Sequence, residues 1–183
     1  METIKLPQGT IYYLPIEAEA GQTRRQAEES ALQKLLTQAF GEGTARTHNS
    51  IGAPVIMRNG KVLEGSVSVS HNKNFAAILH APNHTSAGLD IEIYREQLQR
   101  VATRFLSARE LKEYGNSNID LLRAWTLKEA VYKAAGLPGV DLRNDINIPV
   151  QSSAPHVFNK TFNIIYSAFI PGTDTFLSAV VDL

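Results

Sequence analysis

Asp90 and Glu92 stand two residues apart in Gly88-Leu89-Asp90-Ile91-Glu92-Ile93, and Glu129 and Lys133 stand four apart in Trp125-Thr126-Leu127-Lys128-Glu129-Ala130-Val131-Tyr132-Lys133. On a strand, period two puts both acids on one face, about 7 Å apart, with Leu89, Ile91 and Ile93 on the other. Two such carboxylates can share a hard cation such as Mg²⁺, which takes oxygen ligands and keeps waters for a phosphate. On a helix, Glu129 and Lys133 share a face, while Lys128 projects about 100° away from Glu129. Glu129 then offers a third oxygen ligand, and Lys133 a charge for an anion beside it. Each segment taken alone also reads as ordinary surface: a solvated sheet face for the acids, an exposed ion pair for Glu129 and Lys133.

Other polar residues admit two readings each. Ser70-His71 follows Val67-Ser68-Val69, near a strand end where ligands approach, but adjacent strand residues point to opposite faces and no acid completes a nucleophilic triad. Glu110 lies three residues after Ser107, which makes it a helix-capping residue as well as a candidate base. Arg24 and Arg25, near a helix N-terminus, can meet phosphate or simply lie on a polar face. His48, His80, His84 and His156 lack zinc-ligand spacing. Trp125 and Tyr132 read as core anchors.

The elements that must hold these residues follow from apolar pattern and punctuation. Residues 10–16 form a β-rich run. Thr23 and Gln26 have capping-box spacing before a helix to residue 40, with Ala27, Ala31, Leu32, Leu35, Leu36, Ala39 and Phe40 on its apolar stripe and Gly41 and Gly43 at its end. Residues 41–53 show no periodicity and read as a loop. A strand at 54–57 runs into the Asn59-Gly60 hairpin signal, and 67–69, 75–80 and 87–94 read as further strands. Ser107 and Glu110 open a helix to 114, and Ser117 or Asn118 opens a longer one to 135, closed by Gly136 and Pro138. Three strands, at 146–150, 161–170 and 175–181, complete the chain. Each half thus holds strands and one long helix.

Composition bounds the rest. At 183 residues with 43% apolar content, the chain fits one domain, or two small halves around a shared core. Formal net charge is zero, so no global field draws it to nucleic acid or a membrane. With no Cys, disulfides, thiolate nucleophiles and Cys-bound zinc are excluded. No apolar run approaches the ~18 residues of a spanning helix, and the first residues lack a basic region followed by an apolar one. The expectation is a soluble cytoplasmic protein.

In order and spacing, Gly88 to Glu92, then Arg104-Phe105-Leu106-Ser107-Ala108-Arg109-Glu110, then Trp125 to Lys133 resemble the 4′-phosphopantetheinyl transferase superfamily. Val67 to His71 extends the resemblance upstream, and Gly52-Ala53-Pro54 is a weaker echo. It implies transfer of 4′-phosphopantetheine from coenzyme A to a serine of an apo acyl or peptidyl carrier protein, releasing adenosine 3′,5′-bisphosphate. It implies Asp90, Glu92 and Glu129 as Mg²⁺ ligands, Lys128 and Lys133 facing the coenzyme A phosphates, and Ser70 and His71 contacting the 3′-phosphate; Arg24 and Arg25, from their place near a helix N-terminus, are expected as further nucleotide contacts. Glu129 or Glu110, directly or through water, would accept the serine proton, and Lys133 would steady charge on the leaving group. The implied fold is α+β: two similar halves, near 1–87 and 88–183, related by a pseudo-twofold axis, each a small mainly antiparallel sheet with a long helix, in a monomer. Ala53 stands where relatives often have Lys, leaving a cationic contact to Arg24, Arg25, Arg46 or Lys61. The loop Gly115-Asn116-Ser117-Asn118-Ile119 and the face around Leu111, Tyr114 and Leu121, with Arg104, Arg109, Lys112 and Arg123 nearby, are the expected carrier surface.

Overall fold

The computed structural model describes residues 1–50, 52–150 and 154–183. In chain order the elements are β1 (Glu2–Leu6), β2 (Gly9–Pro15), α1 (Arg24–Phe40), β3 (Thr44–His48), β4 (Pro54–Arg58), β5 (Lys61–Val62), β6 (Ser66–His71) and β7 (Phe75–Ala81) in the first half. The second half holds β8 (Ala87–Ile93), α2 (Leu98–Phe105), α3 (Ala108–Tyr114), α4 (Asn118–Ala135), β9 (Ile146–Asn147), β10 (His156–Val157), β11 (Lys160–Phe169) and β12 (Thr175–Asp182). The fold is α+β and its strand pairs are antiparallel.

Two sheets carry the architecture, in the orders β1-β2-β7-β6 and β8-β12-β11-β10-β9, and a small third sheet is β3-β4-β5. Period two on each strand sends alternate side chains to different layers. On β7, Ala76 and Ile78 meet the Ala31, Leu32, Leu35 and Leu36 face of α1, while Ala77 and Leu79 meet Leu89, Ile91 and Leu177 of the other sheet. The outer face of that second sheet meets α4 and α2 through Val180, Leu127, Ala130, Val131 and Phe105. The layers therefore run helix, sheet, sheet, helix. In each large sheet the strand before the long helix pairs with the last strand of the hairpin that follows it, β2 with β7 and β8 with β12.

Local chemistry sets the helix ends. Thr23 and Gln26 make the full capping box on α1, and Ser107 and Glu110 make it on α3. Ser117 caps α4, and Gly136 ends it at φ 60°, in the left-handed region that favours glycine. Several elements depart from the sequence expectation. β1 precedes the first expected strand, α2 lies where no helix was expected, β10 precedes β11, and β3 occupies part of the expected loop at 41–53, of which residue 51 lies outside the described residues. The strand expected at 146–150 is two residues long.

Gly88 controls how closely α4 can lie on β8. A Cβ there would stand 1.8 Å from the Ala130 carbonyl oxygen and 2.9 Å from the Ala134 nitrogen. Helix backbone cannot yield as a flexible side-chain end would, so Gly88→Ala must push α4 off the sheet. The expected cost is roughly 3 kcal/mol, read as a lower denaturation midpoint in urea; a midpoint unchanged from wild type would contradict this packing.

Candidate functional site

The outer-sheet face of β8 and the sheet-facing side of α4 meet along the edge of β6, and the polar residues gather there. Leu89 sits on the outer edge of β8, with its amide and carbonyl turned away from β12. Its N–H donates to Ser68 Oγ at 2.9 Å, and its carbonyl accepts from Lys133 Nζ at 3.0 Å. An edge that would otherwise be open is thereby closed by side chains.

Lys133 Nζ also lies 2.7 Å from Asp90 Oδ1 and donates to Ser70 Oγ at 2.9 Å, and Ser70 Oγ donates to the same Asp90 oxygen at 3.1 Å. Asp90 is 6% exposed, so the solvated-face reading does not describe it. Its other oxygen, Oδ2, is buried without a hydrogen-bond partner. Glu92 is partly buried, accepts from Trp125 Nε1 at 3.4 Å and pairs with Arg95 at 3.4 Å. Trp125 packs edge-on against Phe105, 5.0 Å between ring centres, so it is both core anchor and carboxylate contact.

Burial and clustering make Glu92 and Glu129 reluctant to ionise. Burial and then the Asp90 charge push the Glu92 carboxyl above its usual range, with Arg95 and Trp125 opposing. Glu129 is raised by burial, by Asp90 and by Glu92, and only Lys133 lowers it. Like charges held together in a half-buried site are what a bound cation relieves. Asp90, Glu92 and Glu129 are oxygen donors of the kind a hard divalent ion takes, and the unpartnered Asp90 Oδ2 is aimed at no protein group, so the residues present fit Mg²⁺. As the side chains stand, no three His, Asp or Glu groups among the described residues converge on one point. Asp90 is turned to Lys133 and Glu92 to Trp125, so gripping an ion requires side-chain rotation.

Two expected site residues are placed elsewhere. Lys128 is fully buried, and its ammonium lies 2.8 Å from Glu110 Oε2 and donates to the Leu142 and Ile146 carbonyls at 2.7 Å each. Glu110, 3% exposed, caps α3 by accepting from Ser107 N and accepts from Ile148 N with its other oxygen. Lys128 is therefore enclosed rather than turned to a phosphate, and Glu110 has no face open to an incoming hydroxyl. Burial pulls the Lys128 ammonium below the usual lysine range, opposed by the Glu110 bond. The cause is the ~100° step between Lys128 and Glu129, which turns the former into the α3 side of the core.

A pocket of about 280 Å³ opens beside Asp90 and Lys133, lined by Arg46, His48, Pro54, Val69, Ser70 and His71. Among the described residues Arg46 is held through Nη2, which donates to both Glu29 oxygens at 2.9 Å. Arg24 pairs with Glu28 at 2.7 Å, Glu28 lies 3.8 Å from His71 Nδ1, and Arg25 is exposed; neither arginine lines the pocket. Of the four basic residues considered as a replacement at Ala53, Arg46 is the one at the pocket wall. Lys133 also borders a larger cleft of about 810 Å³, between the segment from Gly52 to Val69, the end of α4 and Leu137 to Gly139. Tyr132, 39% exposed, lines that cleft and is not the core anchor expected. The cleft escaped sequence reading because it is made by segments far apart in the chain, and Arg46 could not be singled out from the other three basic residues because β3 lacks apolar alternation.

Three carboxylates and a lysine on facing elements, next to a basic pocket, make a site suited to a cation and a phosphorylated ligand together. Residues 86–170 match the model of the 4′-phosphopantetheinyl transferase superfamily, and the resemblance carried by the motifs from Gly88 to Lys133 is borne out over that stretch. Among solved structures, the crystal structure of Thermotoga maritima holo-(acyl-carrier-protein) synthase is similar at 20% identity and a TM-score of 0.40, over 53% of this chain and 62% of that one. The chain thus spans less than two thirds of that protein. No curated protein matches.

The buried pair supplies a test that separates structure from ligand contact. Lys128→Met leaves the Glu110 charge enclosed without a cation and should cost roughly 3–5 kcal/mol. Adding Glu110→Gln keeps the cap acceptor while removing that charge, and should recover more than half of the loss. Simple additivity of the two substitutions in urea unfolding would show that they do not act as a pair.

Proposed function

We propose that this protein transfers 4′-phosphopantetheine from coenzyme A to a serine hydroxyl of an apo acyl or peptidyl carrier protein, with Mg²⁺, releasing adenosine 3′,5′-bisphosphate. The observation that carries the reading is the meeting of Asp90, Glu92, Glu129 and Lys133 inside the segment that matches the superfamily model. On this reading 1–183 is one domain, its halves near 1–87 and 88–183 are related by a pseudo-twofold axis, and it works as a cytoplasmic monomer. The shared pairing of β2 with β7 and β8 with β12 supports the axis. No helix among the described residues is long and apolar enough to cross a membrane.

Phosphoryl transfer asks the protein for positioning and charge stabilisation more than for covalent chemistry. The serine oxygen attacks the β-phosphorus, a new P–O bond forms, and the bond to the bridging oxygen of the nucleotide breaks. Glu129, half-buried and raised in pKa, is the carboxylate that takes the serine proton. Lys133, fixed over Asp90 by three acceptors, presents positive charge to the bridging and leaving oxygens. Asp90, Glu92 and Glu129 would hold Mg²⁺, which when bound neutralises pyrophosphate oxygens. Arg46 and His71 face the basic pocket suited to the remote 3′-phosphate, with Ser70 also in its wall; the larger cleft, with walls of mixed polarity and Lys133 at one side, suits the pantetheine arm with its amides and methylenes.

The carrier meets the second half. Ile119 is 45% exposed at the start of α4, and Arg104, Arg109, Lys112 and Arg123 on α2, α3 and α4 are exposed, basic groups available to an acidic helix. Leu121 is buried and leaves this surface.

A second reading, a module of the same fold that binds coenzyme A or a carrier without turnover, is favoured by one observation: the acids are engaged by Lys133 and Trp125 rather than converged. One assay separates the two. Incubated with coenzyme A, Mg²⁺ and apo carrier, the protein should add one phosphopantetheine group to the carrier by mass, and EDTA should abolish the gain; coenzyme A binding without a mass gain supports the module. Asp90→Asn and Glu129→Gln should each slow the transfer by about 10²-fold or more, and near-native rates in either would remove that residue from the chemistry. Arg46→Gln should raise KM for coenzyme A while sparing 3′-dephospho-coenzyme A; an equal effect on both would place Arg46 away from the 3′-phosphate.

A further inference from the structure

Behind the acids lies a buried row of hydroxyls that the proposed chemistry does not use. Ser178 on β12 is the register partner of Asp90 on β8, and Ser167 on β11 is the register partner of Ser178. Register partners share a face, so all three point to the α4 side. Thr126, one helical turn before Glu129, meets this row: its Oγ1 lies 2.8 Å from Ser178 Oγ, and Ser178 Oγ lies 3.2 Å from Ser167 Oγ. Thr126 and Ser178 are both wholly buried.

Each hydroxyl has one proton to give, and one assignment satisfies the set. Ser167 donates to Ser178, Ser178 to Thr126, and Thr126 to the Leu122 carbonyl at 3.0 Å. The chain of bonds runs in one direction from the sheet into the helix backbone. Apolar side chains of similar size would fill the same space, so hydroxyls here fix an orientation rather than supply volume. Thr126 stands three residues before Glu129 and seven before Lys133, positions that share one helix face. The bond to Ser178 therefore pins that face against the row that contains Asp90.

We propose that Thr126 and Ser178 are positioning residues that hold Glu129 in register with Asp90 for cation binding. This rests on the transferase reading only in taking those acids as cation ligands. Groups behind ligands that fix their aim contribute strongly to metal affinity, and losing one weakens it about 10–100-fold. Ser178→Ala is the informative substitution, because it strands no partner: Thr126 still donates to Leu122, and Ser167 is partly open to water.

The test is calorimetric titration of Mg²⁺ into the full chain with coenzyme A present, followed in parallel by fluorescence of Trp125, the single tryptophan, whose indole contacts Glu92. Ser178→Ala and Thr126→Val should each bind Mg²⁺ about tenfold more weakly, with coenzyme A affinity in EDTA unchanged, and Thr126→Ser should keep wild-type Mg²⁺ affinity. Wild-type Mg²⁺ affinity in Ser178→Ala would overturn the proposal, as would equal weakening in Thr126→Ser and Thr126→Val. Should Thr126→Val fail to fold, Ser178→Ala decides alone. A wild-type protein that binds no Mg²⁺ would overturn the cation reading itself, and the positioning role with it, before any variant is made.

Discussion

The approach of α4 to β8 at Gly88 is the constraint on which the site depends. With no side chain at that position, the Ala130 and Ala134 backbone can rest directly on the strand. Everything that follows is a matter of reach. Lys133, one turn beyond Ala130, can then place its ammonium on Asp90, on Ser70 and on the Leu89 carbonyl at once. Thr126, one turn before Ala130, can touch Ser178 at 2.8 Å. A helix standing a methyl group further out would stretch the short hydrogen bonds at both ends past the roughly 2.7–3.2 Å range in which such bonds normally lie.

That closeness puts charge in low-dielectric surroundings, and the structure sorts its charges accordingly. Two lysines five residues apart on α4 have different fates. Lys128 is enclosed with Glu110 and two carbonyls, where its charge is fully compensated and ties α3, α4 and the segment leading into β9 together. Lys133 stays partly exposed and is shared between Asp90 and the open side of the site. Helical geometry alone separated these residues, since a five-residue step turns the side chain well away from its starting face. The family resemblance had grouped them as phosphate contacts, and burial decides against that for Lys128.

Much of the fold was legible where local chemistry and period agree. The capping boxes at Thr23 and Ser107, the Asn59-Gly60 turn and the alternation at Leu89, Ile91 and Ile93 all specify their elements from short-range physics. β3 was not legible, because Thr44–His48 has one buried residue and takes its strand form from pairing with β4. α2 carries a helical stripe of Leu98, Val101, Ala102 and Phe105, but its N-cap Gln97 makes no side-chain cap bond, so the start signal is missing. The site divided the same way. Asp90, Glu92, Glu129 and Lys133 follow from periodicity within two elements, whereas Arg46 reaches the pocket through long-range pairing that no local pattern encodes.

A chain with zero net charge can still gather cationic side chains at one pocket, because the balance is struck pairwise and locally. Glu28 and Glu29 on α1 stand beside the cations of the first half: one pairs with Arg24 and approaches His71, the other takes both its bonds from Arg46 Nη2. A guanidinium gripped by one nitrogen keeps its remaining donors for another partner, and the grip limits the rotamer entropy lost when an anion arrives. On the opposite wall burial and the neighbouring carboxylates push Glu92 and Glu129 above their usual range, while Lys133 pairs with Asp90. The first half thus carries restrained cations and the second half clustered anions, and the seam between β6 and β8 is where a ligand bearing phosphates and a divalent ion would satisfy both.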